Sequence, residues 1–361
     1  MTPTPFSRER LLAELAVQRA SILTKKALST VNKGELSKTD SSPVTIADFA
    51  AQALLISAIH HAFPSDGFVG EEDADALRKD ATLRQRVWEL VSSTHLDDEE
   101  SEAMLASPAS IEEMFDAIDL GGQGIGGRKG RVWMLDPVDG TATFLRGEQY
   151  AVSLALVKDG KEMVGVLGCP NLSLKAGRVR EKNVDEKGLG LMLSAVRGQG
   201  AIIRPIGTGG LQPAQKIERS LDGPVDLKDL HFVDYTRSKL WGHEKVRLIA
   251  ERLGAAYPGT EVWSSHMRYV ALIVGGGDIQ VRIPLKKDTT SYVWDHAGAQ
   301  LIFTEAGGKI TDLYGKEMDF GAGRKLGNNW GLIAAKEGVH ARILNLVTEM
   351  LKEDCENGAH S

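Results

Sequence analysis

Val132-Trp133-Met134-Leu135-Asp136-Pro137-Val138-Asp139-Gly140-Thr141 is the stretch from which the fold is read. Its first four residues are an apolar run of the kind that fills a buried strand, and the run stops at an acid, a proline, a second acid and then Gly-Thr. Two carboxylates therefore project from one turn at a strand end. Thr141 to Leu145 can begin a helix, so the N–H groups of Gly140 and Thr141 would point into the same turn and favour an anion there. Taken alone, Asp-Pro and Asp-Gly are ordinary turn and capping pairs, so residues elsewhere in the chain must decide.

Downstream, strand patterns follow closely at Ala151–Val157, Met163–Gly168 and Leu191–Val196, with Lys158-Asp159-Gly160 as a turn, and together with Val132–Leu135 they predict an antiparallel meander. After about Pro205 the pattern alternates between strands and helices, the helices falling at Glu244–Leu253, Ser265–Val274 and His296–Ala306. A boundary within 205–225 follows, giving an N-terminal α+β domain over 1–205 with the antiparallel sheet and the acidic turn, and a C-terminal α/β domain over 206–361. One continuous layered domain is the alternative.

Upstream, Leu11, Leu12, Leu15, Ala16, Ile22 and Leu23 recur at helical spacing and predict an amphipathic helix from Ser7 to about Ser29. Lys33 to Pro43 reads as a loop. Val44-Thr45-Ile46-Ala47-Asp48 leads into a second helix through Ile56, which places Asp48 in or near its first turn. Phe68-Val69-Gly70-Glu71-Glu72 reads as a short strand ending in acid. Residues 73–127 read as a charge-rich insertion with helices at Leu83–Val91 and Ile111–Ile118. Its closing run, Gly121-Gly122-Gln123-Gly124-Ile125-Gly126-Gly127, lacks the Lys-Ser or Lys-Thr pair of a phosphate loop and reads as a hinge.

The 361 residues allow one large domain or two packed ones, and the formal charge of −6 gives no electrostatic reason for nucleic-acid or anionic-membrane binding. The one basic cluster, Arg128 to Arg131, is short and has only Trp133 as a nearby aromatic. Cys169 and Cys355 lack metal-type spacing, which fits a reducing compartment. Charges interrupt the apolar stretch at the amino terminus, and no run of about 18 uncharged apolar residues is present. A cytoplasmic chain is the expectation.

Three further acids bear on the turn. Glu71 ends a short strand, Asp48 opens a helix, and Asp295 in Val293-Trp294-Asp295-His296 opens another that runs to Glu305-Ala306-Gly307-Gly308. Each alone reads as a cap or a surface acid. Converged with Asp136 and Asp139, they would repel one another until protons or cations neutralised them. Oxygen ligands without a His or Cys set point to a hard divalent ion, Mg²⁺ before Mn²⁺.

These segments resemble the lithium-sensitive, magnesium-dependent phosphomonoesterase superfamily of inositol monophosphatase and fructose-1,6-bisphosphatase. Asp136-Pro137-Val138-Asp139-Gly140-Thr141 is similar to its first signature, and Trp294-Asp295-His296-Ala297 with Glu305-Ala306-Gly307-Gly308 to its second. Ser42-Pro43-Val44-Thr45-Ile46-Ala47-Asp48 and Gly70-Glu71-Glu72 resemble its upstream motifs. Within it, Gly127-Arg128-Lys129-Gly130-Arg131, Phe144-Leu145-Arg146-Gly147-Glu148-Gln149-Tyr150-Ala151-Val152, Gly168-Cys169-Pro170-Asn171-Leu172 and the long insertion resemble the fungal and plant 3′(2′),5′-bisphosphate nucleotidases.

The resemblance implies a layered αβαβα sandwich of the α+β or α/β class. It implies hydrolysis of 3′-phosphoadenosine 5′-phosphate to AMP and phosphate, with related activity on 3′-phosphoadenosine 5′-phosphosulfate, with two or three Mg²⁺ ions; a monomer is the expectation. Glu71, Asp136, Asp139, Asp295 and the Val138 carbonyl would ligate metal, and Asp48 with Thr141 would activate water. Gly140, Thr141, Ser265, Arg268, Arg282 and Asp295 would meet the substrate. Two departures stand out: Ala297-Gly298-Ala299 replaces the usual Ala-Ala-Gly, and Arg268 stands where lysine is common. An inositol polyphosphate 1-phosphatase would use the same metal site, and a non-catalytic phosphometabolite sensor is the alternative outside enzymes.

Overall fold

The computed structural model describes residues 4–32, 43–175, 177–218 and 226–358. Helices α1 (Ser7–Asn32) and α2 (Pro43–Ala62) precede strand β1 (Gly67–Gly70). Helices α3 (Asp75–Lys79), α4 (Ala81–Ser92), α5 (Glu99–Ala103) and α6 (Ile111–Gly122) separate it from β2 (Arg131–Asp139). The single turn α7 (Thr141–Phe144) leads to β3 (Ala151–Lys158), β4 (Lys161–Cys169), β5 (Leu191–Val196), β6 (Ala201–Pro205) and β7 (Gln215–Lys216). Next come a 3₁₀ turn (Leu227–Asp229), β8 (Val233–Asp234), α8 (His243–Leu253), β9 (Thr260–Glu261), α9 (Ser265–Val274) and β10 (Ile279–Arg282). The chain closes with α10 (Ala297–Glu305), β11 (Gly308–Thr311), β12 (Leu332–Lys336) and α11 (Glu337–Gly358).

Strands β1 to β7 form one sheet in sequence order. The meander expected from the strand spacing is present from β2 onward, whereas β1 joins β2 in parallel, so Glu71 and Asp136 follow at the same end of neighbouring strands. The period of two sorts the residues of this sheet between two cores. Trp133, Leu135, Leu154, Leu156, Val164 and Val166 face α1, α2, α4 and α6, whereas Val132, Met134, Ala155, Val157, Leu167 and Leu193 face α9 and α10. On the far side of α9 and α10 lies the antiparallel sheet β10-β12-β11. Its other face, with Ile279, Val281, Ile333 and Ala335, packs on α8 and α11. The layers run αβαβα, as expected.

Helix α2 is long and apolar enough to cross a bilayer by length and composition, but it is a core helix here. Asp48 lies in its second turn, buried, because the helix begins at Pro43. The expected loop at Lys33 to Pro43 falls at 33–42 outside the described residues, as do Ser42 and part of the expected 205–225 boundary. Cys169 is buried and free; nothing is described of the Cys355 side chain.

The insertion is fastened to the layers beneath it. Arg19, fully buried on α1, donates to Glu102 (2.8 Å), Ser107 Oγ (3.0 Å) and the Ala106 carbonyl (2.8 Å). The glycine run is also held, which corrects the hinge expectation. A Cβ on Gly124 would lie 1.8 Å from the Phe68 carbonyl oxygen, and one on Gly122 would lie 2.2 Å from that of Glu72. Glycine is needed there for close backbone approach, not for bending.

Candidate active site

The ends of β1 and β2 and the N-termini of α9 and α10 meet at one place. On β2, Asp136 pairs with Ser153 and Asp139 with Ala151, so Pro137 and Val138 together face Val152 in a bulge. Proline, which has no N–H to lose, suits that position. The bulge turns both acids inward: Asp136 is 2% exposed and Asp139 9%. Val138 is buried beside Val44, Ala47 and Phe144.

Asp139 is held by the start of α9. Ser264 Oγ donates to Asp139 Oδ2 at 2.5 Å, the His266 amide to the same oxygen at 2.6 Å, and the Ser265 amide to Oδ1 at 3.2 Å. Ser264 Oγ also accepts from the Met267 amide at 3.0 Å, so one hydroxyl caps the helix and grips the acid. Orphan amides at a helix start stabilise such a carboxylate. Among the described residues Asp136 has no comparable support, and its Oδ1 is buried without a partner.

Electrostatic coupling joins the acids predicted from sequence. Burial first, then Glu71, Asp139, Asp295 and Asp48, pushes the Asp136 carboxyl well above the usual range. Asp48 is driven well up by burial and then by Glu72 and Glu71. Asp295 is raised to about 7 by burial and by Asp139, with Arg282 and Arg268 opposing. Glu71 is pushed up to about 8 by loss of hydration around its carboxyl, then by Glu72, Asp295 and Asp139, although much of the residue meets solvent, which screens the repulsion. Glu72, not anticipated, is raised too, by burial and Asp73. Crowded acids with an unpartnered buried oxygen fit a hard divalent cation, which would replace the missing protons as the source of balancing charge.

Gly140 has φ +102°, and a Cβ there would come 2.7 Å from Thr143 Oγ1 and 3.1 Å from Ser264 Cβ, so only glycine passes the chain into α7. The expected helix after it is a single turn, which leaves its first amides without intrahelical partners. Thr141 is exposed, and no hydrogen bond joins it to Asp48 among the described residues.

The three predicted nucleotide contacts differ in state. Arg268, 2% exposed, donates to the carbonyls of Val262 (3.1 Å) and Trp263 (2.7 Å) and to Ser265 Oγ (2.9 Å). Those two side chains thus engage each other behind the first turn of α9. Arg282 lies 4.0 Å from the centre of the Trp241 ring, with no carboxylate or hydrogen-bond partner among the described residues. Burial and then Arg268 push its guanidinium down to about 9, while Asp295 and Asp234 oppose.

Residues not anticipated organise the Glu71 loop. Arg324 stacks at 4.7 Å on Trp294 and donates to the carbonyls of Gly70 (2.7 Å), Gly121 (3.2 Å), Gly122 (2.9 Å) and Gly124 (2.8 Å). Gln52, buried on α2, donates to the Glu72 carbonyl at 2.5 Å and that of Ile118 at 2.8 Å, and accepts from the Glu72 amide at 3.1 Å. A lone Gln inside Ala50-Ala51-Gln52-Ala53-Leu54-Leu55 was a visible signal, since a polar group on an apolar helix needs buried partners. Ser264 before an apolar helix was another; Arg324 and His266 carried none.

An acidic cluster able to hold a metal ion, at the strand ends and helix N-termini of an αβαβα sandwich, defines the class. The inositol monophosphatase family model matches residues 8–351, and the chain belongs to that family. A 3′(2′),5′-bisphosphate nucleotidase of Emericella nidulans is 42% identical over 353 residues, covering 96% of this chain and 99% of that one. The 3′(2′),5′-bisphosphate nucleotidase of Schizosaccharomyces pombe is 41% identical over 354 residues, covering 97% of each. Among solved structures, inositol monophosphatase II of Staphylococcus aureus shares the fold with a TM-score of 0.55 at 17% identity, covering 92% of this chain and 93% of that one.

Proposed function

We propose that this protein hydrolyses the 3′-phosphate of 3′-phosphoadenosine 5′-phosphate, giving AMP and phosphate, and acts likewise on 3′-phosphoadenosine 5′-phosphosulfate. The observation that carries this is end-to-end similarity to named 3′(2′),5′-bisphosphate nucleotidases at up to 42% identity, in a chain whose family acids are electrostatically joined in one cluster. The chain works as a monomer with two or three Mg²⁺ ions in this reading, in the cytoplasm, with most of the acid centre carried by 1–205, and Asp295 and the nucleotide side by 206–361.

Glu71, Asp136, Asp139, Asp295 and the Val138 carbonyl hold the ions. A divalent cation bound there supplies positive charge to the phosphoryl oxygens and acidifies water. The chain's own groups do the rest. Thr141 takes the proton of the attacking water while passing its hydroxyl proton to Asp48, whose buried site favours the protonated form. For this the exposed Thr141 side chain must turn toward Asp48 when substrate arrives. The Gly140 and Thr141 amides receive the phosphoryl oxygens. Arg282, a cation without an anion, pairs with the second phosphate, whose fork of oxygens suits a guanidinium. Arg268 and Ser265 form the wall behind it and add positive charge.

The test is phosphate release in Mg²⁺ from a panel of 3′-phosphoadenosine 5′-phosphate, its phosphosulfate, inositol 1,4-bisphosphate and inositol 1-phosphate. The bisphosphate nucleotide should give the highest kcat/KM. Preference for inositol 1,4-bisphosphate would move the chain to the inositol polyphosphate branch, and no release from any substrate would favour a sensor.

A further inference from the structure

His266 has no part in the reaction outlined above, yet it lies at the acidic turn. The residue is fully buried, and its Nε2 is 2.9 Å from the Trp294 carbonyl. A carbonyl only accepts, so Nε2 carries the proton and Nδ1 keeps its lone pair. Among the described residues Nδ1 has no hydrogen-bond partner, and neither has Asp136 Oδ1; both are buried. A ring nitrogen of His266 and carboxylate oxygens of Asp136 and Asp139 all lie within 4.8 Å of one another. Lone pairs from three side chains thus converge, and His266 and Asp136 each carry a buried acceptor atom without a hydrogen bond among the described residues.

The surroundings match what a metal-bound imidazole requires. Such a ring donates its other N–H to a carbonyl or carboxylate, which fixes tautomer and orientation, and ligating carboxylates are themselves hydrogen-bonded. Trp294 supplies the carbonyl and is followed directly by Asp295, so one turn orients the imidazole and presents another acid. Ser264, Ser265 and the His266 amide hold Asp139. Imidazole nitrogen suits zinc and its neighbours in the transition series, whereas Mg²⁺ prefers oxygen throughout.

We infer that His266 adds a nitrogen donor to the Asp136–Asp139 end of the carboxylate cluster, forming there a mixed site that takes Zn²⁺ or Co²⁺ more tightly than oxygen ligands alone would. This deepens the phosphatase reading and rests on its placement of the metal centre. Zn²⁺ at that position competes with Mg²⁺.

The experiment uses metal-stripped full-length protein titrated with Co²⁺, followed by visible absorption and by proton NMR in water. A hyperfine-shifted, slowly exchanging N–H resonance should appear, arising from Nε2–H while Nδ1 holds the ion. In His266→Gln that resonance should vanish and Co²⁺ affinity should fall at least about 10-fold, with Mg²⁺ affinity changing less than about 3-fold. No shifted N–H resonance in the parent protein overturns the proposal without any variant. Equal losses of Co²⁺ and Mg²⁺ affinity overturn it too, since His266 would then act through packing. Phosphate release in Mg²⁺ is read separately: its absence beside an intact Co²⁺ signature sinks the phosphatase reading and leaves this site standing.

Discussion

Asp136 and Asp139 stand three residues apart on one bulged strand end, but they meet different partners, so the same substitution should act differently on each. Asp139 accepts from Ser264 Oγ, Ser265 N–H and His266 N–H, whereas Asp136 Oδ1 accepts from no group among the described residues. Asp139→Asn would turn an NH₂ toward one of those donors and should destabilise the metal-free protein by about 1–3 kcal/mol. Asp136→Asn removes a charge that its neighbours repel and should leave the metal-free protein at least as stable as its parent. Both should abolish turnover. Urea unfolding in chelator at pH 8, alongside phosphate release, checks the pair; Asp136→Asn as the less stable of the two would contradict the hydrogen bonding described. Arg282 invites a separate measurement. Arg282→Ala should raise KM for 3′-phosphoadenosine 5′-phosphate by about 10–100-fold, the size of a lost charged hydrogen bond. Adenosine 3′-monophosphate, which lacks the second phosphate, should be affected little. Equal losses on both substrates would assign Arg282 to the scaffold.

Among the elements, α10 is the one whose seating matters to both sheet and site, because Asp295 stands just before it. It lies so close to β4 that a Cβ on Gly165 would be 2.5 Å from the Gly298 carbonyl oxygen and 3.2 Å from its carbonyl carbon. Backbone cannot rotate away, so Gly165→Ala should cost about 1–3 kcal/mol and lower activity by shifting Asp295. A Cβ on Gly298 meets Ser153 Oγ at 2.9 Å, a side chain that can turn aside, so Gly298→Ala should be milder. Urea midpoints of the two variants test that order. Elements such as α1, α2, β3 and β4 were legible in the sequence, α1 from the spacing of its apolar residues and the others from continuous apolar runs bounded by turn signals. Asp48, expected in or near the first turn, stands in the second because Pro43 starts α2 earlier than the apolar pattern does. The Arg324 clamp was not legible. It joins positions 70 and 324, and a solitary arginine among glycines has no period. For the same reason the glycine run reads as a hinge, whereas Gly122 and Gly124 admit the carbonyls of Glu72 and Phe68.

Across the whole molecule, the layers bring together carboxyls that the packing itself disfavours when ionised. Burial above all pushes Asp48 and Asp136 well above the usual range and Asp295 to about 7. In the unfolded chain such groups titrate near pH ~4. From there up through the raised values, the folded metal-free protein binds more protons than the unfolded chain, so its stability must fall as pH rises. Each such carboxyl contributes a slope of at most about 1.4 kcal/mol per pH unit. A divalent cation that binds only the converged acids reverses this, adding about 2.7 kcal/mol at 100 times its Kd, and it gains as protons leave. Other groups must be separated out. His243, held in its charged form chiefly by Asp234, also loses stabilisation as pH rises, whereas buried His266 and His296 favour the fold as pH rises toward their ordinary range. His243 and His296 lie outside the metal set, and His266 titrates below its ordinary range and so below the window from pH 7 to 8.5, where the Mg²⁺-dependent part of stability reports the acids. Between pH 7 and 8.5, thermal unfolding in chelator should move to lower temperature, and saturating Mg²⁺ should raise Tm more at the higher pH. A Mg²⁺ increment that is equal at both pH values, or larger at pH 7, would mean that the acids are not neutralised together by metal.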